Sequence, residues 1–368
     1  MKRKIRYGRL PQFARALALA LTASLLLASC QQTAATTTTQ EKSSTDSAAT
    51  TAAGKNTENT ESKAAPADDE VKRIGVVQFA QHASLDNCYY GLLEGLKEHG
   101  YVEGENLEVD YQNANADGGL NNTICQNFVS RGYDLIVGIA TPSAMAAYNA
   151  ARDEDIPVVF SAVTDPIEAQ LQNADGTNVK GVTGTSDVLP IDEQLQMIRA
   201  FQPDAKTLGI LYSTSETSSI ASVRLYEEKA AAHGFTLVAE GVSESANVPA
   251  AALKIVNEVD ALTNILDNMI VQNMPVIVER AKEAGLPYYG SEEEQVARGC
   301  LATQGLDYLA LGAQTGAMAA RILNGEAAES IPISQIEKAS GFYNSTVMAE
   351  LGLELPADFA DMKDLAKP

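Results

Sequence analysis

"LIVGIATPSAMAAYNA" (residues 135–150) joins two periodicities back to back. Residues 135–140 form a short apolar run, the pattern of a strand buried on both faces. From Thr141 the sequence turns to small residues at helical spacing, with a threonine suited to the N-cap and Pro142 suited to the first helical position. A buried strand running straight into a capped helix is the elementary unit of an α/β sheet. It also leaves first-turn N–H groups without intrahelical acceptors at the C-terminal end of a strand, where such sheets bind ligands.

The same alternation extends outward in both directions. Strands are predicted at 74–78, 107–113, 158–163, 208–213, 236–242, 261–266, 287–290 and 300–304. Helical patterns separate them, such as "LDNCYYGLLEGLKEH" (85–99), closed by Gly100 as a C-terminal cap. The alternation predicts parallel sheets with helices on both faces.

The unit is written twice. "RIGVVQ" (73–78) is echoed by "TLGILY" (207–212), with Gly75 answering Gly209. "EHGYVEGENLEVD" is echoed by "AHGFTLVAEGV", Gly100 answering Gly234. "YDLIVGIATPSA" corresponds to "VDALTNILDNMI" through Asp134 and Asp260, and "DIPVVFSAVTD" to "GLPYYGSEEE" through Pro157 and Pro287. Four matches in one order at nearly one offset predict two copies of a doubly wound lobe. Each copy places its strand ends at a common cleft.

The N-terminus is of a different kind. Lys2, Arg3, Lys4, Arg6, Arg9 and Arg15 precede an apolar run at 16–28 that is short for a bilayer span. It ends in Leu27-Ala28-Ser29-Cys30, which resembles a lipobox, so residues 1–29 are expected to be a lipoprotein signal peptide and Cys30 the lipidated mature N-terminus. Residues 31–70 contain no Val, Ile, Leu, Met or aromatic side chain and read, with Cys30, as a flexible tether. Such a coil reaches roughly 35 Å on average. Residues 71–368 remain for the folded part, long enough for two lobes.

The net charge of −21 becomes −27 without the six basic residues of the leader. That balance excludes a nucleic-acid partner, whose binding depends on Lys and Arg neutralising phosphates. Cys88, Cys125 and Cys300 fit no zinc or redox spacing, which leaves buried thiols or one bridged pair. No Ser-His-Asp or Cys-His order, metal spacing or phosphate-cradling glycine loop appears. His99 and His233 each precede a glycine at a helix end and read as capping residues. The chain is expected to be a binding protein, not an enzyme, with no cofactor and no metal.

These features resemble the solute-binding proteins of ABC importers with the type I periplasmic-binding-protein fold. Most similar is the family that includes tryptophan- and tyrosine-binding lipoproteins. The resemblance rests on "IGVVQFAQHASLDNCYYGLLEGLKEHGYVEGENLEVDYQNANAD", "DLIVGIATPSAMAA", "IPVVFSAVTDP", "GILYSTSE", "LDN" (266–268) and "GSEEEQVARGCLATQGLDYLALGAQTGAMAARILNG", in the family's order across 73–325. Two positions depart from it. Leu266 stands where a threonine is usual, and Gln81-His82-Ala83 where Glu-His-Pro is common.

The resemblance implies two doubly wound lobes with a ligand cleft between them and three crossovers, near 185–190, 304–307 and 332–335. Residues 71–187 and 304–331 would form the first lobe, and 188–303 and 332–368 the second. Thr141, Pro142 and Ser143 open a helix whose dipole suits a ligand carboxylate. Asp165, Asp267, Asn268 and Glu292 follow strands on other sides of the cleft and suit an ammonium group. Thr164 and Ser291 offer hydroxyls, and Gln78, His82 and Asn264 complete the expected site. Glu293 and Glu294 follow, and Glu294 is expected merely to begin a solvated helix. Phe79, Tyr212 and Tyr308 are candidates to sandwich a flat apolar group. One carboxylate site and one ammonium site describe an amino acid. The expected partners are that small molecule, an ABC permease with its cytoplasmic ATPase, and the membrane through the lipid anchor, the protein itself being monomeric. A lipoprotein that signals to a receptor, and a binder of nucleosides or small amides, are the alternatives.

Overall fold

The computed structural model describes residues 71–336 and 339–366. The expected signal peptide, Cys30 and the tether lie outside the described residues. Strands β1 (Lys72–Gln78), β2 (Leu107–Asn113), β3 (Leu135–Ile139), β4 (Val158–Val163) and β5 (Val182–Ser186) form a parallel sheet in the order β2-β1-β3-β4-β5. Helices α1 (Ala83–Glu98), α2 (Gly118–Ser130) and α3 (Thr141–Ala151) connect its strands. After α4 (Ile191–Phe201) the pattern repeats in β6 (Thr207–Ser213), β7 (Thr236–Val242), β8 (Ala261–Thr263) and β9 (Tyr288–Tyr289), again parallel and ordered β7-β6-β8-β9. The helices of this half are α5 (Thr217–Ala230), α6 (Val248–Ile255), α7 (Asn268–Gln272), α8 (Met274–Glu283) and α9 (Glu293–Ala297).

The repeated aspartates do the same work in both copies. Asp134 accepts from the Arg73 N–H at the start of β1 (2.7 Å), and Asp260 accepts from the Lys206 and Thr207 N–H groups at the start of β6 (2.8 Å each). Each ties the entry of the third strand to that of the first, which is why the two sequences align there.

β5 escapes the sequence pattern. "VTGTS" carries only one apolar side chain, yet all five residues are buried. Hydroxyls are tolerated there because each is paired: Thr183 donates to the Ile331 carbonyl (2.7 Å), and Thr185 meets Thr315 (2.8 Å), which also donates to Ser161 (3.0 Å). Thr315 belongs to α10 (Tyr308–Leu323), which follows β10 (Ala302–Gly305) and packs on α1 and the first sheet.

β11 (Ser334–Gln335), within the expected crossover at 332–335, pairs with β5 at the edge of the first sheet. β12 (Ser340–Tyr343) pairs antiparallel with β10 and parallel with β13 (Lys363–Asp364), beyond helix α11 (Ser345–Glu350). Bonds from Leu301 N–H to Tyr288 O (2.7 Å) and from Gly290 N–H to Ala302 O (3.0 Å) join this group to β9. The second half therefore carries, beside its parallel sheet, a small sheet β10-β12-β13 with an antiparallel pair that the alternation did not predict. Cys88, Cys125 and Cys300 are free and buried.

Candidate functional site

A short connection carries each strand of the first half into its helix. The junction after β3 differs from its expected chemistry: Ala140, not Thr141, is the N-cap, at φ 76° and ψ 154° with no side-chain bond. Thr141 and Pro142 become the first helical residues. Ser143 turns inward and donates to Asn121 of α2 (2.8 Å), whose amide returns a bond to the Pro142 carbonyl (3.0 Å). The side chain of Ser143 thus locks α3 against α2, while the first-turn N–H groups keep no intrahelical acceptor.

One cavity gathers the strand ends. From the first half it is lined by His82 and Leu85 of α1, Ala140 and Thr141, Ala162 and Thr164 after β4, and Asp187 after β5. Tyr308 of α10 adds to that side, and the second half supplies Ser218, Leu266, Asp267, Asn268, Val271 and Glu292. Of the twelve residues expected in the site, six line this space. Gln78 lies behind it, donating to Asp86 and to the Ala80 carbonyl (2.8 Å each). Asn264 and Ser291 are tied to Gln295 in a buried network (2.9 and 3.0 Å). Asp165 accepts from the N–H groups of Ile167 (3.0 Å) and Glu168 (2.9 Å), and it faces a smaller adjoining recess with Thr141 and Ser218.

The halves meet directly. His82 Nε2 lies 3.3 Å from Asn268 Oδ1, Ser84 donates to Glu292, and Asn87 donates to Glu294 (2.6 Å). Glu294 is therefore no mere solvated helix residue, since it reaches the first turn of α1. The enclosed space is about 20 Å³, room for little more than a water molecule. An amino acid enters only when the halves part.

Four carboxyl groups converge here without a lining Lys or Arg. Burial pushes Asp187 up to about 6, and Glu216, raised further by the charge of Asp267, up to about 7. Burial and then Glu294 raise Glu292 to about 8, and burial raises Asp267 as well. Burial lowers His82 to about 4. Asp267 is spoken for: it caps α7 through the Ile270 N–H (2.8 Å) and accepts from Ser213 N–H. Glu216 accepts from the Asn268 amide (2.6 Å) and the Met269 N–H (3.2 Å).

Asp187 and Glu216 were missed from sequence. Asp187 follows a strand with no apolar run, and Glu216 sits in "STSET", where nothing distinguishes it from loop polarity. Phe79 and Tyr212 do not line the cavity, and Tyr308 does so while donating its hydroxyl to Asp187 (3.0 Å). Its apolar wall is aliphatic: Leu85, Ala140, Ala162, Leu266 and Val271. His99 caps α1 as expected, its Nδ1 lying 2.8 Å from Gly95 O, whereas His233 pairs with Asp192 at 3.0 Å.

Two sheets with the same strand order and a cleft at their C-terminal edges define a two-lobed solute-binding protein of the type I periplasmic fold. The chain belongs to the family of ABC transporter substrate binding proteins, which it matches over residues 73–362. It is 37% identical to the tyrosine-binding protein of Clostridioides difficile over 83% of this chain and 88% of that one. Among solved structures, an ABC domain from Streptococcus pneumonia in complex with L-Trp superposes with TM-score 0.76 at 32% identity, covering 79% of this chain and 98% of that one. A ligand-free, open substrate binding protein with adhesive properties from Clostridium difficile gives 0.62 at 36% identity, covering 80% and 99%. Family membership makes the protein an extracytoplasmic binding protein and not an enzyme. Among the described residues no helix is long and apolar enough to cross a membrane, and no cluster of His, Cys, Asp and Glu is placed to hold a metal ion.

Proposed function

We propose that the protein captures a zwitterionic aromatic amino acid between its lobes and delivers it, in the closed state, to the permease of an ABC importer. One observation carries this reading: a single cavity combines a helix start for a carboxylate, a group of carboxyl side chains for an ammonium, and an apolar wall for a side chain. The tyrosine-binding relative and the tryptophan complex support the aromatic class. The lobes comprise 71–187 with the return segment from 304, and 188–303 with the C-terminal strands. Ligand bridging both lobes stabilises the closed form by its differential affinity. Cys30 carries the lipid anchor, and 31–70 let a monomeric binding module reach its permease.

A thermal-shift screen of the purified protein against the twenty amino acids and the nucleosides tests the ligand class. L-Tyrosine or L-tryptophan raises the melting temperature most. A nucleoside as the strongest stabiliser, with no response to aromatic amino acids, would replace the reading with that of a nucleoside binder.

A further inference from the structure

Two buried polar atoms at the cavity have no hydrogen-bond partner: Asp187 Oδ1 and His82 Nδ1. Their residues are only 4% and 6% exposed, so solvent does not satisfy them. The other atoms of both side chains are held. Asp187 Oδ2 accepts the Tyr308 hydroxyl at 3.0 Å, and the Thr164 hydroxyl lies near enough to the carboxyl to favour its charged form. The Asn268 amide nitrogen is committed to Glu216 (2.6 Å), so its oxygen faces His82 and accepts from Nε2–H (3.3 Å). That bond sets the tautomer of the neutral imidazole and leaves Nδ1 as a bare lone pair. Both orphans are therefore acceptors, and both residues line the same cavity. Asp267 and Glu216, by contrast, already receive backbone and amide N–H groups. A single group with several N–H donors and a positive charge satisfies both orphans at once.

We propose that Asp187 and His82 together bind the ligand's primary ammonium group, Asp187 as its charge partner and His82 Nδ1 as its second acceptor. Tyr308 and the Glu216–Asn268 pair are the positioning residues behind them. This inference rests on the zwitterion reading above and moves the cationic subsite from Asp267 and Asp165 to the end of β5. It also gives the site a protonic signature. With the cleft closed and empty, burial holds Asp187 near 6, and an ammonium beside it favours the carboxylate, so ligand in the closed cleft draws that proton off to solvent. The ionisable groups facing this region are Tyr308, Glu292, Glu294, Cys88, His82 and Asp267, with Asp86 and Arg298 acting on His82 and Glu216 behind Asn268. The contribution of Asp187 is thus read as a difference between variants.

The test is calorimetric titration at pH 6 in buffers of different ionisation enthalpy, on the whole protein and its Asp187→Asn variant. L-Tryptophan and its deaminated analogue, indole-3-propionate, are the probes. Wild type should release more protons per bound L-tryptophan than the variant. The variant should bind L-tryptophan roughly 10–100-fold more weakly while its affinity for indole-3-propionate is kept. That retained affinity also certifies that the variant's site is folded. Equal L-tryptophan affinity, or an equal loss for both probes, would overturn the assignment, and equal proton release would overturn its protonic signature. If wild type ignores L-tryptophan and L-tyrosine, the aromatic reading fails by itself. The screen of all amino acids then decides: an amine that stabilises wild type but not Asp187→Asn supports the subsite. Stabilisers indifferent to the substitution, or no stabilising amine at all, refute it.

Discussion

Ala140 holds φ 76° and ψ 154°, and Ala162 holds φ 57°, both at strand ends that line the cavity. A Cβ in such conformations costs on the order of 1–3 kcal/mol, tolerated where the surroundings over-determine the backbone. In both places the turn aims the next residues at the ligand space: Thr141 and the start of α3 in one case, Thr164 in the other. Ala140→Gly removes the Cβ clash and gives back part of the gain as unfolded-chain entropy. Its ligand-free form should be about 1 kcal/mol more stable, a rise of about 2–4 °C in melting temperature. A lower melting temperature would show that the methyl contacts outweigh the strain. None of this was legible in sequence, because an alanine does not announce a positive φ. The carboxylates were legible by kind and not by position. Asp267 reads as a cleft residue and lines the cleft, but its oxygens are taken by backbone N–H groups. Asp187 keeps an oxygen unpaired, which only the three-dimensional accounting of donors reveals.

At the scale of elements, the return of the chain to the first lobe rests on the α1–α10 contact. Gly91 and Gly95 of α1 face Gly312 and Gly316 of α10 so closely that an added Cβ would lie 2.1–2.3 Å from a backbone carbonyl oxygen of the other helix. Neither backbone can yield without separating the helices. Gly316→Ala should therefore cost about 1–3 kcal/mol in chemical denaturation. Gly118→Ala, where nothing lies within 4 Å, should stay within about 0.5 kcal/mol. Equal effects would mean that the helix contact is not what fixes α10. The glycines are visible in "YYGLLEGL" and "LALGAQTG", each pair four apart, but which helices they join is a tertiary fact. The paired strands β1 and β6 and their partners were legible because short apolar runs and the two aspartates recur at nearly one offset. β5, β12 and β13 were not, since a strand whose hydroxyls are all paired, or one two residues long, carries no such pattern.

Across the whole molecule, closure is a matter of a few cross-lobe bonds around a small space. Ser84 with Glu292, Asn87 with Glu294 and His82 with Asn268 hold the closed form with polar contacts that solvent replaces at low cost when the lobes part. A ligand that bridges the lobes adds to these bonds and shifts the population toward closure. The two-lobed plan, its repeat and its cleft follow from the strand–helix alternation. The angle between the lobes does not, because it depends on side-chain pairs from segments far apart in sequence. The central claim is that both charges of a zwitterion are recognised together in that cleft. It is tested most directly by titrating the purified protein with L-tryptophan, with tryptamine and with indole-3-propionate in one calorimetric series. L-Tryptophan should bind at least about 100-fold more tightly than either analogue, since each lacks one charge-assisted set of bonds. An amine or an acid that binds as tightly as the amino acid would contradict it.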